Sequence, residues 1–247
     1  MLIQKNELFQ LGEHFLACGD ALDPEIVKKV IGNHKISLIL SDMPYGISVV
    51  ESKAGFSKIK KAKNIINDHL QTDEEYRKFT SGWLNLVKPY LTEKNSYYLF
   101  NSDRMLFAMR EGLLDAGFKF SQLLIWVKNH AVLGRMNYLP QHELIMFGWF
   151  GTHKFYKSQH KSVLFYPKPN RSPLHPTMKP VALLRDLILN SSKIGDYVYD
   201  PFAGSGSIAA ACEQIKRKAL MIELDPEYCE VIIQRFEKMT GIKAVKI

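Results

Sequence analysis

The chain carries the sequence Ser41-Asp42-Met43-Pro44-Tyr45-Gly46 directly after a short apolar run, Ile36-Ser37-Leu38-Ile39-Leu40. The length and composition of this run predict a buried β-strand. An acid, a proline and an aromatic residue at the end of such a strand are poor core material. Open α/β sheets bind ligands just beyond the carboxyl ends of their strands, so the stretch predicts a site. Asp42 offers an acceptor and Tyr45 a flat face, which together could hold a planar ring bearing an amino group.

The composition is that of a globular protein of ordinary polarity. The 247 residues are 46% hydrophobic and 23% charged, which predicts a sizeable core within one large domain. The sequence has no apolar window long enough for a membrane span and no signal-peptide pattern at its start. Its three cysteines are scattered and lack the spacing of a disulfide framework or a metal site. We therefore expect a cytoplasmic protein without a metal.

The net charge of +8 is unevenly distributed. Seven Lys or Arg and a single acid, Glu143, lie between Lys128 and Arg171. A second group of five lysines follows Glu51 and ends at Lys63. Proteins that bind nucleic acids concentrate positive charge in this way, so we expect a polyanionic partner. For the second group, a solvated surface run is the structural alternative.

Predicted strands and helices alternate through most of the chain. Asp23-Pro24 and the capping box Thr72-x-x-Glu75 each predict the start of a helix. Further helices are predicted over 103–116, 180–190, 208–215 and 226–239, and further strands over 13–19, 97–100, 123–127, 143–150, 197–199 and 219–222. This alternation predicts an α/β fold with a mostly parallel sheet and helices on both faces. Residues 47–70 are predicted to be a mobile loop.

A second informative stretch is Asp200-Pro201-Phe202-Ala203-Gly204-Ser205-Gly206, between a predicted strand and a predicted helix. Glycines in such a turn let the backbone approach a ligand closely. Glu223 ends the following strand, where an acid commonly accepts hydrogen bonds from ribose hydroxyls. By itself this pattern predicts an adenosine-containing cofactor and fits NAD as well as others.

Taken together, the two stretches resemble those of the S-adenosylmethionine-dependent amino-group DNA methyltransferases, in the permuted order called the β class. Asp42–Tyr45 is similar to that family's target-amine motif, Asp-Pro-Pro-Tyr, with Met43 in place of a proline, and Asp200–Gly206 is similar to its cofactor motif. His175-Pro176-Thr177-Met178-Lys179-Pro180 and Gly19-Asp20-Ala21 resemble two further family segments. The resemblance runs from about residue 14 to residue 237. It implies a Rossmann-like methyltransferase fold in a single catalytic domain, residues 1–247.

The resemblance implies S-adenosylmethionine as the cofactor. Asp20 is expected at its adenine, Glu223 at its ribose and Asp200 at its ammonium, while Thr177 and Lys179 are expected near its carboxylate. A simple turn acid at Asp20 and a helix start at Thr177 are the structural alternatives. The implied cofactor-binding residues are Asp20, Ala21, Thr177, Lys179, Asp200, Pro201, Phe202, Ala203, Gly204, Ser205, Gly206 and Glu223.

The implied reaction is site-specific methylation of an exocyclic amine in double-stranded DNA, after the base has been flipped from the duplex. The implied catalytic residues are Asp42, Met43, Pro44 and Tyr45. The Asp42 carboxylate and the Met43 carbonyl are expected to accept the two amine hydrogens, while Pro44 stiffens the turn and Tyr45 stacks on the base. In this family an aspartate at the first motif position usually accompanies adenine N6. Cytosine N4 is the alternative target, and a non-catalytic DNA-binding subunit is the alternative from another class.

Two regions are expected to contact DNA. Residues 47–70 are expected to close over the flipped base, and residues 128–171 are interpreted as a small inserted recognition region, where basic and polar side chains alternate with aromatic ones. The expected contacts are Lys53, Lys58, Lys60, Lys61, Lys63, Lys128, His130, Arg135, Asn137, Lys154, Lys157 and Lys161. A homodimer and a cognate restriction endonuclease are further candidate partners.

Overall fold

The computed structural model describes residues 3–46, 71–131, 137–157, 159–168 and 178–247. The loop predicted over 47–70 lies outside these residues, together with Arg135 and Thr177. The described strands are β1 Leu8–Leu11, β2 His14–Cys18, β3 Ile36–Asp42, β4 Leu91–Asn101, β5 Lys119–Val127, β6 His142–Trp149, β7 Val163–Phe165, β8 Tyr197–Asp200, β9 Lys218–Glu223 and β10 Val245–Lys246. The described helices are α1 Pro24–Ile31, α2 Asp73–Val87, α3 Leu106–Asp115, α4 Val181–Ser191, α5 Ser207–Gln214 and α6 Pro226–Thr240, with a 3-10 turn over Lys88–Tyr90.

The described strands form one sheet in the order β10-β1-β2-β9-β8-β3-β4-β6-β5-β7. The central strands β2, β9, β8, β3 and β4 are parallel to one another. β6 is antiparallel to both β4 and β5, and the pairs β1–β2 and β1–β10 are also antiparallel. The mostly parallel sheet is thereby confirmed. Strands β1, β7 and β10 were not predicted, because runs of two to four residues at the edges of a sheet carry little periodic signal.

The helices cover both faces of the sheet, as predicted. On one face α4, α5 and α6 contribute Leu187, Ala211 and Ile232 to a core that also contains Leu38 and Leu40 of β3. On the other face, α1, α2 and α3 pack in a second core that contains Ile36 and Ile39 of β3. Burial on both faces explains why β3 is an almost continuous apolar run.

The predicted helix starts are confirmed by their capping geometry. The Asp23 carboxylate accepts a hydrogen bond from the Glu25 amide at the start of α1. Thr72 and Glu75 form the reciprocal capping box at the start of α2. These caps satisfy backbone amides that have no partner within a helix. The sequence signals at both positions are therefore local and direct.

The region 128–171 contributes two strands to the sheet. Its residues 142–149 form β6, which lies between β4 and β5 and buries Ile145 and Phe147 in the core. β7 adds a further strand beside β5. A role of this region in DNA recognition stays a prediction. The antiparallel pairing that incorporates β6 into the sheet depends on partners far away in sequence.

The three cysteines, Cys18, Cys212 and Cys229, are buried free thiols. Within the described ranges, no group of His, Cys, Asp and Glu side chains is arranged to hold a metal ion. None of the helices that the structure describes is long and apolar enough to cross a membrane.

Candidate active site

The two sequence motifs meet at the carboxyl edge of the sheet. β3 ends at Asp42, and β8, its direct neighbour, ends at Asp200. The Ser41 hydroxyl donates a hydrogen bond of 2.6 Å to Oδ1 of Asp200, which ties the two strand ends together. The order of the strands thus places the target-amine motif beside the glycine turn.

Asp42 belongs to a compact charged cluster. The Lys179 Nζ lies 2.5 Å from Oδ2 of Asp42 and 3.1 Å from Oε2 of Glu143. The Lys128 Nζ lies 2.8 Å from Oε1 of Glu143. Both lysine side chains are almost fully buried. We call Asp42, Tyr45, Lys128, Glu143 and Lys179 the Asp42 network. Its two acids and two lysines balance in charge, which is what makes their burial tolerable.

The Tyr45 hydroxyl lies between the two carboxylates. It is 2.9 Å from Oδ1 of Asp42 and 3.1 Å from Oε2 of Glu143, so its single proton can go to either acid. Lys179 Nζ lies 3.3 Å from the same hydroxyl and 5.2 Å from the centre of the Phe100 ring. The aromatic rings thus add to the favourable environment of the buried ammonium.

The charges of the Asp42 network shift the pKa values of its members. Burial raises the pKa of Asp42, and the Glu143 charge adds to this while Lys179 opposes it. Against the effect of burial, Lys179 and Lys128 lower the pKa of Glu143 to about 2. Burial would lower the pKa of Lys179, but the carboxylates of Asp42 and Glu143 outweigh it and raise that pKa. Glu143 and Lys179 are therefore both charged near neutral pH.

The turn after Asp42 is held by tertiary contacts. Met43, which stands where the family has a proline, is 2% exposed and packs in the core. The Tyr76 hydroxyl donates to the Pro44 carbonyl at 2.8 Å and accepts from Nδ2 of Asn101 at 2.7 Å. Met43 lacks the rigid ring of a proline, and these contacts hold the turn instead.

The glycine turn has the close approaches that its sequence predicts. Gly206 has a φ of +69°, and a Cβ there would lie 2.9 Å from the Ile232 side chain, so another residue would be both strained and crowded. Arg235 Nη1 donates to the Ser205 carbonyl at 2.7 Å and thereby supports the turn from below. The Phe202 ring packs against the ring of Phe79.

Two buried acids adjoin the glycine turn. Asp200 Oδ1 accepts from the amide of Phe202 at 3.1 Å as well as from Ser41. Glu223 accepts from the amides of Gly204 at 2.8 Å and Asp225 at 2.9 Å. Burial raises the pKa of both Asp200 and Glu223 to about 7, because these neutral donors offset it only in part. Such carboxyl groups are suited to a ligand that brings a cation or hydroxyl donors.

The turn after β2 completes this edge of the sheet. The Gly19 amide donates to the Glu223 carbonyl at 2.9 Å, and Ala21 is buried. Oδ1 of Asp20 accepts from the Leu22 amide at 2.9 Å, so Asp20 closes its own turn whatever else it binds. The remaining turn residues, Pro201 and Ala203, lie at the same edge, after β8.

The residues expected to bind DNA are dispersed. Lys128 is 5% exposed and paired with Glu143. Its ammonium is therefore not available to a DNA phosphate, contrary to the expectation from the sequence. His130 and Asn137 are exposed, and His130 lies just beyond the carboxyl end of β5. Lys157 pairs with Asp186 at 3.0 Å.

Lys154 lies at the opposite edge of the sheet from Asp42. Its Nζ is 5.5 Å from the centre of the Tyr156 ring, and the Tyr156 amide donates to the carbonyl of Asn190 in the last turn of α4. Lys193, which precedes β8, is also close to that ring. Lys161 is exposed and lies just before β7.

Glu143 is the site residue that the sequence analysis missed. It was noted only as the single acid among seven basic residues. That isolation was the available signal, because a lone acid in a basic segment has many potential cationic partners. Its actual partners, Lys128 and Lys179, lie 15 and 36 residues away in the sequence, and no local pattern identifies them.

Comparison with known proteins agrees with this geometry. Residues 36–235 match the DNA methylase family of N6 and N4 methyltransferases. The Type II methyltransferase M.HpaI of Haemophilus parainfluenzae is 26% identical over 250 residues, which cover 90% of this chain and 74% of that protein. The crystal structure of the M1.HpyAVI–SAM complex has 23% identity and a TM-score of 0.65, covering 89% of this chain and 98% of that one. The PvuII DNA methyltransferase, described as cytosine-N4-specific, has 16% identity and a TM-score of 0.72, covering 93% and 91%.

The family match spans both motifs, from β3 to α6, and the structural likeness extends over nearly the whole chain. The Rossmann-like methyltransferase fold expected from the motifs is thus confirmed. The chain belongs to the DNA methylase family of amino-group (N6/N4) methyltransferases.

Proposed function

We propose that this protein transfers a methyl group from S-adenosylmethionine to the N6 amino group of adenine in double-stranded DNA. The observation that carries the proposal is the Asp42 carboxylate, at the end of β3, one strand from the glycine turn that follows β8. An aspartate at this position usually accompanies adenine in the family. Cytosine N4 is the second candidate target, favoured by the structural likeness to the cytosine-N4-specific PvuII enzyme.

The residues at the glycine turn fit this cofactor. Asp200, with its raised pKa and neutral hydrogen-bond donors, would accept the ammonium of the methionine part. Glu223 would accept the ribose hydroxyls, and Asp20 would face the adenine. The glycines would let the backbone approach the methionine part. When bound, S-adenosylmethionine supplies a methyl group activated by its sulfonium.

Asp42 and its turn would prepare the target amine. The exocyclic nitrogen is a poor nucleophile while its lone pair is delocalised into the ring. The Asp42 carboxylate and the Met43 carbonyl would accept hydrogen bonds from its two N–H groups and favour a tetrahedral nitrogen. Holding donor and acceptor in line can contribute about 7–11 kcal/mol, so positioning would dominate the acceleration. The Tyr45 ring would stack on the flipped base, which is worth ~1–3 kcal/mol.

The DNA would approach from the carboxyl edge of the sheet, where the Asp42 side chain is partly exposed to solvent. His130 and Asn137 are exposed side chains that would contact it, together with Lys161. The lysines of 47–70 and Arg135 remain candidate contacts from the sequence, as does Thr177 for the cofactor. A homodimer and a cognate restriction endonuclease remain candidate partners, the latter supported by the likeness to a Type II methyltransferase.

The decisive experiment identifies the methylated base. Unmodified DNA is incubated with the protein and isotopically labelled S-adenosylmethionine, digested to nucleosides, and resolved by mass spectrometry. We expect label in N6-methyl-2′-deoxyadenosine, and far less of it with the Asp42→Ala variant. N4-methyl-2′-deoxycytidine as the sole product would replace the adenine assignment, and no labelled nucleoside from any DNA tested would contradict both candidates.

A further inference from the structure

Both carboxylate oxygens of Asp42 are already engaged. Oδ2 is paired with the ammonium of Lys179, and Oδ1 accepts from the hydroxyl of Tyr45. If the protein methylates an exocyclic amine as proposed above, the amine competes with both donors for the Asp42 carboxylate, and a donor that gives way to the amine loses its acceptor. A buried ammonium or hydroxyl that loses its acceptor without gaining another is strongly disfavoured. The donors therefore need a second acceptor within reach.

We propose that Glu143 is a positioning residue that supplies this second acceptor, because its Oε2 lies 3.1 Å from both the Lys179 ammonium and the Tyr45 hydroxyl. Lys179 and Tyr45 can turn toward Glu143 with small movements as the amine binds to Asp42. Glu143 does not touch the reacting atoms. It acts by keeping the displaced donors paired inside the pocket.

The surroundings of Glu143 suit it to this role. Its other oxygen, Oε1, is held by the Lys128 ammonium at 2.8 Å, which fixes the carboxylate and leaves Oε2 to the mobile donors. Its pKa of about 2 keeps it ionised at every pH at which the enzyme would work. The Glu143 side chain is mostly shielded from solvent, so water cannot easily replace it as an acceptor.

Glu143 and Lys128 also lie on the side from which DNA would approach. Glu143 is the second residue of β6, and Lys128 directly follows β5. The Lys128 amide donates to the Gln141 carbonyl at 2.8 Å, and Gln141 Nε2 donates back to the Lys128 carbonyl. These bonds join the start of β6 to the end of β5. The acceptor that frees Asp42 is thus carried by the same chain segment as the exposed His130 and Asn137.

The test compares Glu143→Gln and Lys128→Gln with the parent. Five groups bear on the Asp42 carboxyl or on its partners: Lys179 before α4, Tyr45 in its own turn, Glu143 on β6, Lys128 after β5 and Asp200 on β8. Glu143→Gln removes a negative charge and leaves Lys179 to Asp42, so the pKa of Asp42 should fall. Lys128→Gln leaves Glu143 less neutralised, which draws Lys179 away and should raise that pKa.

In single-turnover methylation, we expect Glu143→Gln to lower the transfer rate about 100-fold, the scale of a misplaced catalytic group, with cofactor affinity unchanged. The acid limb of the pH–rate profile should move by roughly one pH unit, downward in Glu143→Gln and upward in Lys128→Gln. Exposed residues of the same types give matched controls, Glu111→Gln and Lys78→Gln, which should match the parent.

A second measurement does not depend on catalysis. The Asp42 carboxyl carbon is titrated by ¹³C NMR in the protein without cofactor or DNA, and Asp42→Asn identifies its signal. The two variants should shift its midpoint in opposite directions. If the parent methylates nothing, the proposed function fails while these shifts still support the coupling. If the parent is active but Glu143→Gln keeps the parent rate, or both variants keep the parent midpoint, the role of Glu143 is overturned.

Discussion

Asp42 at the end of β3 is surrounded by charged partners, whereas Asp200 at the end of the neighbouring β8 accepts hydrogen bonds from a hydroxyl and a backbone amide. Lys128 and Lys179 neutralise Asp42 and Glu143, and they hold the pKa of Glu143 at about 2. The neutral donors around Asp200 and Glu223 leave both pKa values at about 7. The Asp42 side chain is also 27% exposed and Asp200 only 2%, so the two acids differ both in burial and in their partners.

This difference indicates which ligand group suits Asp42 and which suits Asp200. On the Asp42 side, a neutral target amine would compete with the Lys179 ammonium and the Tyr45 hydroxyl for the carboxylate. Asp200 and Glu223 accept hydrogen bonds from neutral donors, so a ligand ammonium would stabilise their ionised forms. One strand position therefore separates a site that exchanges hydrogen-bond donors from a site that gains a charge.

The largest effect is expected from Asp42→Ala. Removal of a group that acts mainly in the transition state should lower methyl transfer on the order of 10³-fold. Cofactor affinity should change little, because Asp42 faces the target side. Initial rates with labelled cofactor, together with calorimetric titration of the cofactor, measure the two quantities. Retained turnover would remove Asp42 from the catalytic assignment, and a parallel loss of affinity would mean that the two strand ends are not functionally separate.

Asp200→Asn should have the next largest effect, on the other side of the comparison. Loss of the charge that pairs with a buried ammonium should weaken cofactor binding about 30-fold or more. The amide is nearly isosteric with the carboxyl and can still accept from Ser41. We therefore expect the fold to be preserved, which a thermal unfolding curve would check. An affinity equal to that of the parent would contradict the assignment of Asp200 to the ammonium.

The pH dependence of cofactor affinity should separate the two acids more finely. Asp200 and Glu223 are protonated below about pH 7, and a cofactor that prefers their ionised forms must release those protons on binding. Affinity should therefore fall as the pH is lowered from 8 to 6, by up to about tenfold per pH unit for each group. Titrations in buffers of different ionisation enthalpy would count the protons released. Asp200→Asn should remove one of them, and a flat profile in the parent would argue against both assignments.

The smallest effect is expected from exposed lysines, whose charges are screened by solvent, unlike that of Lys179. Lys161→Glu should reduce the slope of log K for DNA against log salt by about 1. Lys154→Glu, at the opposite edge of the sheet, should leave that slope unchanged and is the matched control. Equal slopes in all three proteins would exclude this surface from DNA binding.

Much of this molecule follows from local sequence signals. The caps at Asp23 and Thr72 depend on residues within one helical turn, and β3 is defined by its own apolar run. The motif residues Asp42 and Asp200 were identified because acids and glycines at strand ends are unusual in a core. These features depend on a few consecutive residues, so the sequence alone determined the fold class and the two halves of the site.

The network around Asp42 was decided by the tertiary structure alone. Lys179 was expected at the cofactor, and Lys128 on DNA, yet both are buried against Glu143, and Lys179 also contacts Asp42. Their pairing requires β6 to enter the sheet antiparallel beside β4, and it requires α4 to begin near the end of β3. Charge pairing acts through space. Lys179 lies 36 residues after Glu143 and 137 residues after Asp42 in the sequence, so no local pattern encodes their pairing. The sequence determined which chemical groups are present, and the tertiary structure decided which of them share a pocket, because the strength of an ion pair depends on distance and burial rather than on position along the chain.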